Sequence, residues 1–146
     1  MREKVIEHIK NLFRAHQELA ELLPTEAFGQ NLSIASNTIG GQFWCLIGAR
    51  ESYTKAVNEN YWAGFKCSMT FEESSNKAKV IQALHQATEK FEEVLSGIEW
   101  TNERDGLLLD LLEHETQHQG QFIRYVYGLK YKFPKSWAER WALEEL

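Results

Sequence analysis

Two histidines four residues apart, His114 and His118, lie in the run His114-Glu115-Thr116-Gln117-His118-Gln119-Gly120-Gln121. On a helix, side chains at i and i+4 stand one above the other on one face. Both imidazoles can then reach a single divalent cation at about 2.0–2.1 Å, and neutral imidazole is a common ligand for zinc, nickel and iron. The apolar spacing around the pair decides where it points. Leu107, Leu111, His114, His118, Gln121 and Tyr125 follow one another in steps of four and three, which puts both rings on an inward stripe. A lone inward histidine is usually a core residue bonded to its neighbours. Two stacked ones need two separate sets of partners, whereas one cation satisfies both. The pair is therefore read as a site for a divalent metal ion, zinc or nickel.

The same residues, His114-Glu115-x-x-His118, match the zinc-protease pattern in which the glutamate is general base. A protease of that kind needs a third ligand downstream, for which Glu139 is the one tempting residue. It also needs a cleft with an edge strand to hold a peptide, and no segment alternates as a strand would. Glu115 points about 100° away from His114 around the helix, so a solvated or ion-paired surface glutamate is the expected reading.

The elements that position these residues are helical throughout. Four-three apolar spacing predicts helices over 3–23, 38–58, 73–95 and 102–127. In the first, Val5, Ile9, Leu12, His16, Leu19 and Leu23 share a face, and Pro24 stops it. Ser36-Asn37-Thr38 supplies capping chemistry for the second, whose inward face carries Ile39, Gln42, Leu46, Ala49 and Tyr53. Gly40-Gly41 near its start weakens a helix by about 1 kcal/mol each relative to alanine, so another backbone is expected to approach closely there. Residues 59–72 have no helical period and carry four aromatics; a connection of that length, burying its own aromatics, reads as a crossover that leaves helices two and three parallel. Val80, Leu84, Ala87, Phe91 and Val94 mark the third helix, with His85 at its boundary. After Pro134, Ser136 is expected to cap a short amphipathic helix bearing Trp137 and Trp141. The expected fold is all-α, a four-helix bundle with a short C-terminal helix, and Leu12, Leu46, Phe91 and Leu111 are expected in its core.

Composition bounds the function. The 146 residues are expected to form one domain, 1–146, large enough for a core without disulfides. A net charge of -5 with no basic run argues against nucleic acid as a partner. No apolar run is long enough to span a membrane and no signal segment opens the chain, so the cytoplasm is the expected location. Cys45 and Cys67 are not in a C-x-x-C pair and read as isolated small hydrophobes in a reducing compartment.

With these residues in view, the chain resembles the DinB-like (damage-inducible, YfiT-like) family of bacterial four-helix-bundle metalloenzymes over nearly its full length. His114, His118, Gly120 and Gln121 match that family's helix-four motif, and Ile39-Gly40-Gly41-Gln42 matches its helix-two site, with Gln42 where the family usually has histidine. The resemblance implies an up-down-down-up bundle, a homodimer, and a metal pocket at one end. It also implies a reaction on an unknown small molecule: some relatives are S-transferases of low-molecular-weight thiols such as bacillithiol, mycothiol or glutathione, others isomerases or hydrolases.

For the site, Gln42 is expected either to coordinate weakly through its amide oxygen, to bond a metal-bound water, or to mark a degenerate site. His16 is a candidate replacement ligand or pocket residue, with a satisfied core histidine as the competing reading. Gln121 and Tyr53 are expected beside the pocket. Two functions follow. In one, a metal-dependent enzyme uses the ion held by His114 and His118 to activate water or a low-molecular-weight thiol. In the other, a non-catalytic bundle keeps the pocket for ligand binding or stability.

Overall fold

The computed structural model describes residues 1–144. Among them the chain is all-helical: α1 is Arg2–Leu22, α2 Ile39–Glu59, α3 Lys77–Leu95, α4 Asn102–Leu129 and α5 Lys135–Trp141. Two 3-10 turns, Thr25–Gly29 and Glu72–Ser75, precede α2 and α3. No strand forms among the described residues; extended pairing is confined to one isolated antiparallel bridge between Asn31 and Thr38. None of the helices is long and apolar enough to cross a membrane.

Side-chain caps set the starts of α2, α3 and α4. Thr38 Oγ1 accepts from the Gly41 N–H at 2.9 Å, Asn76 Oδ1 from Lys79 at 3.1 Å and Thr101 Oγ1 from Arg104 at 3.1 Å, each meeting a backbone donor that the helix itself leaves unpaired. The Asn76 cap places the start of α3 four residues later than the apolar spacing suggested, and residues 72–75 wind as a 3-10 turn instead. Ser136 does not cap α5; Pro134 occupies that position, and the Ser136 hydroxyl bonds Glu18 on α1.

The long helices pack side by side, α2 against α3 and α4, and α1 against the same two. Arg2 pairs with Asp105, His16 with Glu115, Gln42 with His118, and the Arg104 guanidinium with the Val57 carbonyl. Two apolar clusters fill the interior. One gathers Phe28, Phe43, Phe122 and Trp137; the other gathers Phe13, Phe91, Leu108 and Leu111. Leu46, Phe91 and Leu111 are buried as expected, but Leu12 is only half-buried and Phe13 takes its place in the core. The aromatics of 59–72 are not buried as expected: Tyr61, Trp62, Phe65 and Phe71 stay substantially exposed, although Phe65 and Phe71 pack on Trp44.

Gly40 marks a backbone seam. A Cβ there would lie 2.3 Å from the Ser74 carbonyl oxygen and 2.6 Å from that of Phe28, so both 3-10 turns close on the first turn of α2. Overpacking against rigid backbone costs about 1–3 kcal/mol, more than the roughly 1 kcal/mol alanine gains in helix propensity. Gly40→Ala is thus expected to lower the melting temperature. Gly120→Ala, in α4 with nothing within 4 Å of its Cβ position, is expected to raise it. Thermal melts of the two variants check the opposite signs.

Candidate metal centre

Three potential ligand atoms converge between α2 and α4. The Cys45 sulfur and one ring nitrogen from each of His114 and His118 all lie within 4.8 Å of one another. The imidazoles stack along α4 with centroids 4.5 Å apart, as their i, i+4 spacing requires. Opposite them, Cys45 Sγ approaches His114 Nε2 to 3.8 Å. Cys45 lies one turn beyond Gln42 on α2, so both residues look across the same seam at α4.

The donor set fits a transition-metal ion. A thiolate and two imidazoles form a soft-to-borderline site, which favours zinc, nickel or copper over magnesium, calcium or manganese. His114 Nδ1 is buried without a protein partner, a costly state for an imidazole nitrogen unless something else meets it. Protonation suits binding as well. Burial, and then the neighbouring His114, pull the His118 pKa down to about 4. His114 is also lowered, mainly by burial, so proton competition for the ring nitrogens is weak at neutral pH. Burial pushes the Cys45 thiol up; that sulfur would have to lose a proton to act as a ligand.

Gln42 faces His118 directly, its Oε1 lying 2.9 Å from His118 Nδ1. Its amide nitrogen reaches towards the Tyr125 hydroxyl at 3.5 Å, and that hydroxyl donates to the Asn37 carbonyl at 2.5 Å. All three side chains are buried.

Glu115 is not the surface residue expected. It is 0% exposed because the stripe buried by α4 runs through Leu108, Leu111, Glu115, His118 and Phe122, leaving His114 on its flank. Arg50 Nε donates to Glu115 Oε1 at 2.6 Å and Nη2 to Oε2 at 3.1 Å, while His16 Nδ1 lies 2.7 Å from Oε2. Burial alone would raise the Glu115 carboxyl; the Arg50 charge and the His16 N–H outweigh it and hold the pKa at about 2. His16, also fully buried, is pushed down by the same loss of solvent despite the carboxylate beside it. It is thus a neutral ring donating Nδ1–H to a carboxylate. With Nδ1 so committed, the 3.3 Å approach of Arg50 Nη2 is proximity and not a second donation. Arg50 lies 4.0 Å over the Phe13 ring, and His16 contacts Phe122 and Trp137, so this polar layer separates the two apolar clusters.

The other sequence candidates lie outside the convergence. His16 belongs to the polar layer, as the core-histidine reading has it. Gln121 is exposed on α4. Tyr53, eight residues past Cys45 and so about 12 Å further along α2, packs on Trp62 at 4.6 Å. Glu139, the third ligand a protease would need, pairs with Lys135 at 3.6 Å. Cys45 is the residue that sequence reasoning missed. The available signal was its i+3 spacing from Gln42, which puts it on the face already assigned to the site. Compared with models of known protein families and with curated proteins, the sequence finds no match.

Proposed function

We propose that the chain is a four-helix bundle of up-down-down-up order that binds a divalent transition metal, zinc or nickel, between α2 and α4 through Cys45, His114 and His118. The observation that carries this reading is the convergence of three ligand atoms within 4.8 Å from two packed helices. Pairings along the helices support the order. Arg2 with Asp105 and His16 with Glu115 run α1 along α4. Gln42 with His118 and Arg104 with Val57 run α2 against α4. Lys77 with Leu23 and Phe13 with Phe91 run α3 against α1. In the DinB-like family, as here, helix two supplies the third donor to a histidine pair on helix four; Cys45 does so from one turn beyond Gln42.

An ion held by three protein ligands keeps a position for water or a low-molecular-weight thiol and lowers its pKa, the chemistry of a hydrolase or thiol S-transferase. The chain's own part is to keep both rings neutral by burial and to supply one thiolate. A second reading, a metal-binding bundle without catalysis, is favoured by Glu115: both its oxygens are engaged by Arg50 and His16, so the His-Glu-x-x-His run offers no free general base.

Zinc titration against a chromophoric chelator tests the centre. We expect about one ion bound per chain, and no comparable binding of magnesium; absence of zinc binding at neutral pH sinks the reading. Cobalt in place of zinc separates the two roles. Added glutathione should alter the cobalt absorption if a coordination position is open, and leave it unchanged in a closed, structural site.

A further inference from the structure

The contacts behind His118 point to one arrangement of donors. The Asn37 carbonyl can only accept, and Tyr125 directs its single hydroxyl proton to it at 2.5 Å. The Tyr125 oxygen must therefore accept at its other contact, the Gln42 amide 3.5 Å away. The amide stands accordingly, with Nε2–H towards the tyrosine and Oε1 towards His118. An amide oxygen is an acceptor, so the His118 nitrogen 2.9 Å from it, Nδ1, is the one that carries the proton. The Nε2 lone pair is left free. The polarity of the chain runs from a backbone carbonyl beside the first turn of α2, through side chains on α4 and α2, to one nitrogen of one imidazole.

We propose that Gln42 is a positioning residue that, with Tyr125 and the Asn37 carbonyl, locks His118 in its Nδ1–H tautomer and so reserves Nε2 for a metal ion. The proposal rests on the reading of Cys45, His114 and His118 as a metal centre. Ligand histidines commonly donate their other ring N–H to an acceptor that fixes tautomer and ring orientation, and loss of that acceptor typically lowers metal affinity about 10–100-fold. Gln42 has the position and polarity of such an acceptor. Its Oε1 already takes the His118 proton, so it does not stand free as a ligand atom. Tyr125 acts one step further out: without its hydroxyl, nothing prevents the Gln42 amide from turning over and presenting Nε2–H to the ring.

The experiment reads the tautomer and the affinity separately. Long-range 15N–1H spectra of the metal-free, full-length protein at neutral pH should show His118 protonated on Nδ1; an Nε2–H tautomer overturns the proposal without recourse to any variant. Gln42→Met, which keeps the side-chain length, should lose that preference and bind zinc about 10–100-fold more weakly. Gln42→Glu, which retains an oxygen beside Nδ1, should keep the preference and most of the affinity, a rescue that a purely space-filling role would not produce. Unchanged zinc affinity in Gln42→Met would overturn the positioning role. Failure of the parent protein to bind zinc while still showing the Nδ1–H tautomer would remove the metal reading, and the positioning role with it, yet leave the hydrogen-bond chain established.

Discussion

Replacing Cys45 with alanine is expected to weaken zinc binding by more than about 100-fold, beyond the roughly 10–100-fold that loss of an outer partner costs, and to remove most of its pH dependence. The sign follows from which donors hold protons. His118 is drawn down to about 4, mainly by burial, and His114 is lowered for the same reason, so neither ring gains much as pH rises through neutrality. The Cys45 thiol is raised above its ordinary value of 9.0 by burial and must release its proton for the sulfur to coordinate. One proton displaced per ion makes the apparent affinity of the parent rise about tenfold per pH unit between about pH 6 and 8. The alanine variant should be nearly flat over that interval. Chelator competition across the range measures both effects. An unchanged affinity in Cys45→Ala would remove Cys45 from the ligand set and refute the three-ligand centre.

Removing the Glu115 carboxylate should have the largest effect on stability. Glu115→Leu leaves the Arg50 guanidinium in the interior without its counter-charge, and breaking a buried pair in this way costs about 3–5 kcal/mol. For a chain of this size that corresponds to a melting temperature lower by about 10–16 °C. The parent's own pH dependence has a definite sign. The Glu115 carboxyl is depressed from 4.5 to about 2, so its contribution is fully present above pH 4.5 and is lost as pH falls towards 2. Glu115→Leu should lack that part of the acid-induced loss. Replacing His16, Arg50 and Glu115 together by apolar residues should recover much of the deficit, because no unpaired charge then remains. Thermal melts at several pH values measure all of this, and a Glu115→Leu protein as stable as the parent would refute the account.

The sequence made the helices legible because amphipathic spacing persisted over several turns in each, and proline or a capping residue marked most ends. Gly40-Gly41 announced a close backbone approach, which the Ser74 and Phe28 carbonyls provide. The two histidines were legible as a stacked pair for the same geometric reason. What failed were judgements about single positions between stripes. Glu115 is charged, and a charged residue between two histidines reads as a surface residue unless its partner is known. That partner, Arg50, is sixty-five positions away on α2. Cys45 is small, lacks a neighbouring cysteine and lies in an apolar helix, so nothing local distinguishes it from a packing residue. Only the facing of α2 against α4 puts its sulfur beside the rings. Gln121 follows the four-three rhythm, yet the buried stripe passes through Phe122 instead, a drift that the longest helix in the chain has room to accumulate.

The polar layer of His16, Arg50 and Glu115 also acts on arrangements the protein does not adopt. The first half of α4 carries leucines at 107, 108, 109, 111 and 112, enough apolar surface for hydrophobic packing alone to accept several rotations of the helix. In the observed one Leu108 and Leu111 are buried while Leu109 is 49% exposed. Turning α4 by one residue, or sliding it by one turn, would strand Arg50 beside Phe13 without a carboxylate, a misregister disfavoured by about 3–5 kcal/mol. Glu115 thereby works as a key that fits one orientation of its helix. Because His114 is its neighbour in the chain and His118 lies one turn on, the orientation it selects is the one that turns both imidazoles towards α2.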